Sequence, residues 1–186
     1  MKNKEYLSQL YKKNEQGEFI IEVYIEKLLS AFNEWDSSYL EIRELNANLI
    51  YFIERCSKDI PVRQKIELWF MVAEENEEQE KVLKEALRAN FKYQRYLAKQ
   101  KKKLLYGKSA KYFVVALLFL LTAFSLKAND SLNLAGSLAV EGLYIGGWVF
   151  LWQAISMFSF ESLEVIERIK IFERLLNSNI RIHYRS

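Results

Sequence analysis

Two apolar stretches without a charged residue constrain this chain more than any other feature of its sequence. The first covers residues 112–126, and the second covers residues 142–160 with Glu141 directly before it. A helix needs about 20 apolar residues to cross the hydrocarbon core of a bilayer, so each run spans a membrane or comes within a turn or two of doing so. We therefore predict a transmembrane hairpin. Its parts are a first helix at 112–127, a short external loop at 128–134 and a second helix at 135–160.

Charge is segregated along the chain and predicts the orientation of the hairpin. Residues 1–87 carry 18 acidic and 12 basic side chains, whereas residues 88–111 carry nine basic side chains and no acidic one. A basic block beside a span normally stays in the cytoplasm, and Arg168, Lys170 and Arg174 follow the second span. Both chain termini are therefore expected in the cytoplasm.

The basic block also predicts a contact with anionic lipid. A lysine at the membrane surface contributes about 1 kcal/mol of attraction to anionic headgroups. Nucleic-acid binding is the alternative, because tyrosines interleave with the lysines, but the position directly before a span favours lipid. The predicted lipid contacts are Lys101, Lys102, Lys103, Lys108 and Lys111.

Alternating apolar residues predict three strands outside the hairpin. Residues 19–25 and 66–72 place an apolar side chain at every second position, and residues 180–185 do so at Ile180, Ile182 and Tyr184. A period of two is typical of half-buried strands. A short helix is expected around Leu28, Leu29 and Phe32. A second helix is expected with a cap at Asn46 or Asn48, an apolar stripe of Leu49, Phe52, Ile53 and Cys56, and an end before Pro61.

Long helices are expected on both sides of the hairpin. From about residue 75 to residue 126 only Gly107 interrupts the helical pattern. After the second span, apolar residues at i, i+4, i+7 and i+11 predict a returning helix. The residues of that stripe are Val165, Ile169, Phe172 and Leu176.

The fold class that follows is an α+β membrane protein. A two-helix transmembrane hairpin with long cytosolic helical extensions is inserted in a small three-stranded α/β cytosolic domain, which the last strand rejoins. Two strands with a free tail would give a similar pattern. The predicted segments besides the hairpin are a polar segment at 1–18, an α/β domain at 19–74, stalk helices at 75–111 and 161–178, and a strand at 180–185.

Polar residues of the second span are the candidate pore or ion contacts. A carboxylate in hydrocarbon costs several kcal/mol and usually faces protein or water. Glu141 is therefore either a pore or ion contact or, as the favoured alternative, an interfacial residue paired with Lys127. Gln153 is central in the span, where an interhelical hydrogen bond is favoured over ion binding.

Small and aromatic residues of the same span predict helix packing or oligomerisation. Gly142 and Gly146 lie four residues apart, followed by Gly147, and small residues let helix backbones approach closely. Trp148 and Trp152 share one helix face, where they pack on the first span or on another subunit, or line a lipid or ligand cleft. Two spans cannot enclose a path, so a pore requires a homo-oligomer.

The sequence contains no catalytic constellation. His183 lies between arginines and is expected at the surface, whereas Cys56 is expected as a buried thiol. The glutamates at residues 74–80 crowd the start of a helix, where acids favour the dipole and face water. Phosphate loops, nucleophile elbows and His/Cys metal spacings are absent. We predict no enzyme activity, no cofactor and no metal.

The run at residues 141–149 (EGLYIGGWV), with Trp152 after it, resembles the second span of a family of small bacterial two-span membrane proteins of unknown function. The resemblance covers most of the chain beyond residue 18. Residues 35–38 stand where that family has an Asp-Pro-Ser-Pro-like turn, and this chain lacks both prolines there and a proline soon after Trp152. The resemblance implies a two-span protein of the bacterial inner membrane and implies no activity.

These features predict a non-enzymatic inner-membrane protein that self-associates. Its most concrete form is an oligomeric ion channel or pore-like assembly with a regulatory domain in the cytosol. The alternative is a membrane-tethered module that recruits a cytosolic protein partner. A lipid-modifying enzyme is the third reading.

Overall fold

The computed structural model describes residues 7–73, 75–128 and 133–184. The chain forms two compact units. Met1–Leu97 and Glu167–Ser186 make up one, which we call the sheet unit, and Ala98–Ile166 makes up the other, which we call the hairpin unit.

Helices dominate both units. The sheet unit contains β1 (Phe19–Ile25), a 3₁₀ helix (Leu28–Ala31), α1 (Ala47–Asp59), β2 (Ile66–Val72) and β3 (Asn179–Tyr184). One helix, α2, runs from Glu77 to Lys127, and α3 covers Leu134–Ser156. A π-helical turn, Met157–Glu161, joins α3 to α4 (Ser162–Asn177). The predicted stalk and first span are thus parts of one helix, and the predicted second span ends in the π-helical turn.

The three strands form one parallel sheet in the order β1-β2-β3. Ile21 pairs with Leu68, which pairs in turn with Ile180. The prediction of three strands is confirmed, with the third beginning at Asn179 and ending at Tyr184. Parallel neighbours require a crossover connection, and the crossover from β2 to β3 contains α2, α3 and α4.

One face of the sheet carries the hydrophobic core. Leu68 and Phe70 of β2 are fully buried against apolar side chains of α1, α2 and α4. On α4 the buried apolar residues are Val165, Ile171, Phe172 and Leu175, so the predicted stripe is correct at Val165 and Phe172 and omits Ile171 and Leu175. Ile169 and Leu176 are only partly buried, because the core face of α4 in this unit centres on Phe172.

Both ends of α1 are capped, and the C-terminal cap comes from a distant part of the chain. The Asn46 side chain accepts a hydrogen bond from the Asn48 amide at 2.9 Å, which selects Asn46 from the two predicted caps. At the other end, the Arg174 guanidinium donates to the Ile60, Pro61 and Gln64 carbonyls at 3.1, 2.8 and 3.2 Å and also bonds Ser57. Burial lowers the pKa of Arg174.

On the other face of the sheet, a buried carboxylate makes several hydrogen bonds. Glu67 of β2 is 1% exposed and accepts hydrogen bonds from Asn14 at 3.0 Å and Asn179 at 2.8 Å, and it forms a 2.6 Å ion pair with Arg181. Burial alone would raise its pKa, but the amide donors and the guanidinium outweigh it, so the pKa of Glu67 is lowered. The ionised form therefore stabilises the fold.

Candidate functional site on the second membrane-length helix

Small residues form the contact between α2 and α3 inside the hairpin unit. Ala116 and Ala123 of α2 are fully buried. A Cβ atom on Gly147 would lie 2.7 Å from the Leu120 side chain, and one on Gly146 would lie 3.0 Å from the Phe119 ring. These two glycines thus serve close packing within one chain.

A buried hydroxyl joins the same two helices at their other end. Ser109 of α2 is 7% exposed and donates from Oγ to the Ala154 carbonyl at 2.8 Å. Further along, the Phe150 ring lies 6.0 Å from the Tyr112 ring and 5.4 Å from the Phe119 ring. The packed side of α3 is therefore almost entirely apolar.

The opposite side of α3 is uncovered and carries most of the predicted site. Leu138, Glu141, Ile145, Trp148 and Trp152 are exposed there at alternating spacings of three and four residues. This spacing is typical of a helix face that packs against another helix. Trp148 and Trp152 are 55% and 64% exposed, so the first helix leaves more than half of each residue uncovered.

Both polar candidates lie on this uncovered face. Glu141 and Gln153 are exposed, and a Cβ atom on Gly142 would meet nothing within 4 Å. Among the described residues no ion pair joins Glu141 to Lys127. The Lys127 ammonium lies 5.9 Å from the centre of the Tyr144 ring instead. We call the face formed by Leu138, Glu141, Gly142, Ile145, Trp148, Val149, Trp152 and Gln153 the open face of α3.

The predicted lipid-binding lysines do not share one side of α2. Lys102 is partly buried, with its ammonium 5.3 Å from the centre of the Tyr106 ring. The remaining four are exposed: Lys101, Lys103, Lys108 and Lys111. Lys101 and Lys103, two residues apart, lie on opposite sides of the helix.

The residues considered as catalytic candidates are buried, packed or hydrogen-bonded within the fold. Cys56 is buried, and burial raises the pKa of its thiol. His183 is partly buried rather than at the surface, with its ring 4.4 Å from that of Trp69. Glu80 accepts hydrogen bonds from Lys84 and Tyr184, and Glu74 lies outside the described residues. Across the described parts of the chain, no group of His, Cys, Asp or Glu could hold a metal ion.

An ordered loop of the sheet unit presents three large apolar side chains that sequence reasoning missed. Trp35, Tyr39 and Ile42 are 94%, 84% and 73% exposed. The Asp36 carboxylate accepts hydrogen bonds from the Ser38 and Glu44 amides at 2.9 and 2.8 Å. Bonds with Ser38 and Glu44 lower the pKa of Asp36 to about 2.

No family model, curated protein or solved structure matches this chain. The resemblance at residues 141–149 therefore stays a prediction. By length and composition, α2 and the helical stretch from Leu134 to Asn177 could each cross a membrane, with mean hydropathies of 1.9 and 1.5 over their most apolar 18 residues.

Proposed function

We propose that this chain is a two-span protein of the bacterial inner membrane that self-associates through the open face of α3. Its hairpin is not a soluble core, because only 17% and 11% of the two most apolar windows are buried within the chain. A hairpin whose apolar side chains point outward needs another apolar environment, and lipid supplies it. The basic block before the first span supports a cytoplasmic sheet unit.

The observation that carries self-association is the position of the polar residues. Glu141 and Gln153 lie on the side of α3 that α2 leaves open. In lipid, an uncovered carboxylate costs several kcal/mol, and further copies packed on the same face would shield it from lipid. Gly142 allows close approach there, while Trp148 and Trp152 supply contact area.

Disulfide cross-linking in native membranes tests this contact. Ile145 and Leu121 are 66% and 60% exposed on different helices, so Ile145→Cys and Leu121→Cys are matched variants. Oxidation is expected to link chains carrying Ile145→Cys and to leave the Leu121→Cys chains monomeric. The unmodified chain, whose only cysteine is buried, is the background control. Equal cross-linking of both variants would contradict a specific contact at the open face.

A pore-like assembly is the form of this oligomer that we propose, with Glu141 near its outer mouth. Ion flux from liposomes should depend on Glu141, because a ring of carboxylates raises the local cation concentration. We expect Glu141→Gln to reduce cation flux several-fold without changing the mass in detergent. Unchanged flux would leave Glu141 a structural residue, and a monomeric mass would exclude a pore.

The exposed loop favours a second function, recruitment of a cytosolic protein partner. Trp35, Tyr39 and Ile42 stand out on a loop held by hydrogen bonds to Asp36, and exposed aromatic residues are common at the centres of protein interfaces. A photo-reactive amino acid at Tyr39 should then cross-link to another polypeptide. The same group at Tyr24, which is 62% exposed on β1, is the control.

A further inference from the structure

An apolar cleft of about 400 Å³ lies in the hairpin unit beside the π-helical turn. Its lining includes residues of both helices and of the turn: Tyr106, Ala110, Phe113, Ala154, Ile155 and Phe158. The cleft offers its occupant aromatic and aliphatic carbon with few polar atoms. It is therefore suited to a hydrocarbon chain rather than to a polar metabolite.

Specific contacts fix the walls of this cleft. The hydrogen bond from Ser109 to the Ala154 carbonyl holds the helices together on one side. On the other side the Tyr106 and Phe158 rings are 5.5 Å apart. Phe158 belongs to the π-helical turn, where the Ser162 amide bonds to the Met157 carbonyl five residues back. Turns of this type occur frequently at functional sites.

Positive charge continues the same helix face toward the N-terminus of α2. Lys99, Lys102 and Lys103 precede Tyr106 by seven, four and three residues, so they share its side of the helix. Lys102 contacts the Tyr106 ring itself. At 3.6 residues per turn, Lys108 and Lys111 lie about half a turn away from this side. The cleft thus has an apolar body and a cationic end.

We propose that this cleft binds one anionic phospholipid, with an acyl chain between α2 and α3 and the phosphate at Lys102 and Lys103. From Lys102 to Phe113 the helix rises about 16 Å at 1.5 Å per residue. Phe113 lies at the start of the predicted first span, so a lipid in the cleft would place its headgroup at the lysines, on the cytoplasmic side of the hydrocarbon, and its acyl chain toward the span. The inference rests on the proposed membrane location, and it names the lipid class that the basic block selects.

Lipid retention by the full chain in detergent tests the proposal. Native mass spectrometry would compare phosphatidylglycerol with phosphatidylcholine of the same acyl chains. We expect one phosphatidylglycerol per chain to survive, with phosphatidylcholine bound about tenfold less tightly. Lys102→Gln with Lys103→Gln should remove this preference. The matched control, Lys108→Gln with Lys111→Gln, removes the same charge from the far side of the helix and should keep it.

Two further arms separate the acyl chain from the headgroup. Ala110→Trp fills the cleft and should lower retention of both lipids about tenfold, and glycerol phosphate, a headgroup without chains, should not compete. Equal retention of both lipids by the unmodified chain would overturn the proposal. So would equal effects of the two double lysine variants, full retention by Ala110→Trp, or displacement by glycerol phosphate. Carbonate extraction of membranes tests the membrane location separately, because a peripheral protein would be released.

Discussion

Substitutions at Gly142 and Gly147 distinguish packing within one chain from contact between chains. Gly147 faces α2, whereas Gly142 lies on the open face of α3. We expect Gly147→Ile to destabilise the hairpin and to leave its associating surface unchanged. We expect Gly142→Ile to leave the hairpin intact and to weaken association. Helix propensity changes alike in both variants, so it cancels in the comparison.

The magnitude follows from the space at each position. A Cβ atom on Gly147 would lie 2.7 Å from two atoms of Leu120 and 3.4 Å from the Ala116 carbonyl oxygen. Carbon atoms pack best about 3.5–4.0 Å apart, so Leu120 would have to move by about 1 Å. Overpacking of this kind costs about 1–3 kcal/mol. At Gly142 nothing lies within 4 Å, and the expected cost to hairpin stability is within about 0.5 kcal/mol.

Two measurements on the same samples distinguish the variants. Titration of detergent-solubilised protein with dodecyl sulfate, followed by far-UV circular dichroism, reports hairpin stability and does not depend on Trp148 and Trp152, which lie on the open face. Size-exclusion chromatography with light scattering reports the mass of the assembly. A wild-type transition for Gly147→Ile would refute the packing argument. A wild-type mass for Gly142→Ile would refute the assignment of the open face to association.

Three further predictions concern stability. Arg174→Met should lower the free energy of unfolding by about 2–4 kcal/mol, because several carbonyls lose a charged donor. Arg168 forms a 2.9 Å ion pair with Glu54 that is more exposed, so the control Arg168→Met should cost less than about 1 kcal/mol. Thermal unfolding compares the two variants, and equal losses would contradict the capping role. Glu67 has a lowered pKa, so the ionised carboxylate stabilises the fold above its ordinary pKa of 4.5, and this stabilisation is lost as pH falls toward the folded-state pKa. In denaturant titrations from pH 7 to pH 3, the free energy of unfolding of Glu67→Gln should therefore depend less on pH than that of the unmodified chain. Ser109→Ala should reduce hairpin stability by about 1 kcal/mol in the same dodecyl sulfate titration, and no change would show that the bond to Ala154 is not stabilising.

Local patterns in the sequence were sufficient to predict the strands. The alternation at residues 19–25 and 66–72 marks both strands at the bounds seen in the structure, because a half-buried sheet requires a period of two. The third strand is displaced by one residue, since Asn179 is polar but pairs with Glu67 across the sheet. Alternation identifies the buried face and says little about where pairing begins.

Features that depend on distant residues could not be predicted in this way. Arg174 was noted for its charge near the membrane, but its hydrogen-bond acceptors lie more than 100 residues earlier. The π-helical turn contains neither proline nor glycine that would mark it in the sequence, because it arises from a shift in backbone hydrogen bonding within a helical sequence. The glycine motif predicted close approach of helices, and only the rotation of α3 shows which glycines face α2.

The sheet constrains the membrane topology independently of charge. Leu68 of β2 precedes both membrane-length helices, and Ile180 of β3 follows them, yet the two residues are paired neighbours in one sheet. Strands that exchange backbone hydrogen bonds lie on the same side of a membrane, so in the proposed membrane location the chain between them crosses it an even number of times. Two crossings satisfy this condition, whereas one crossing with the other helix at the surface does not. The segregation of basic residues predicts that this is the cytoplasmic side, and the two arguments are compatible although one rests on hydrogen bonding and the other on charge.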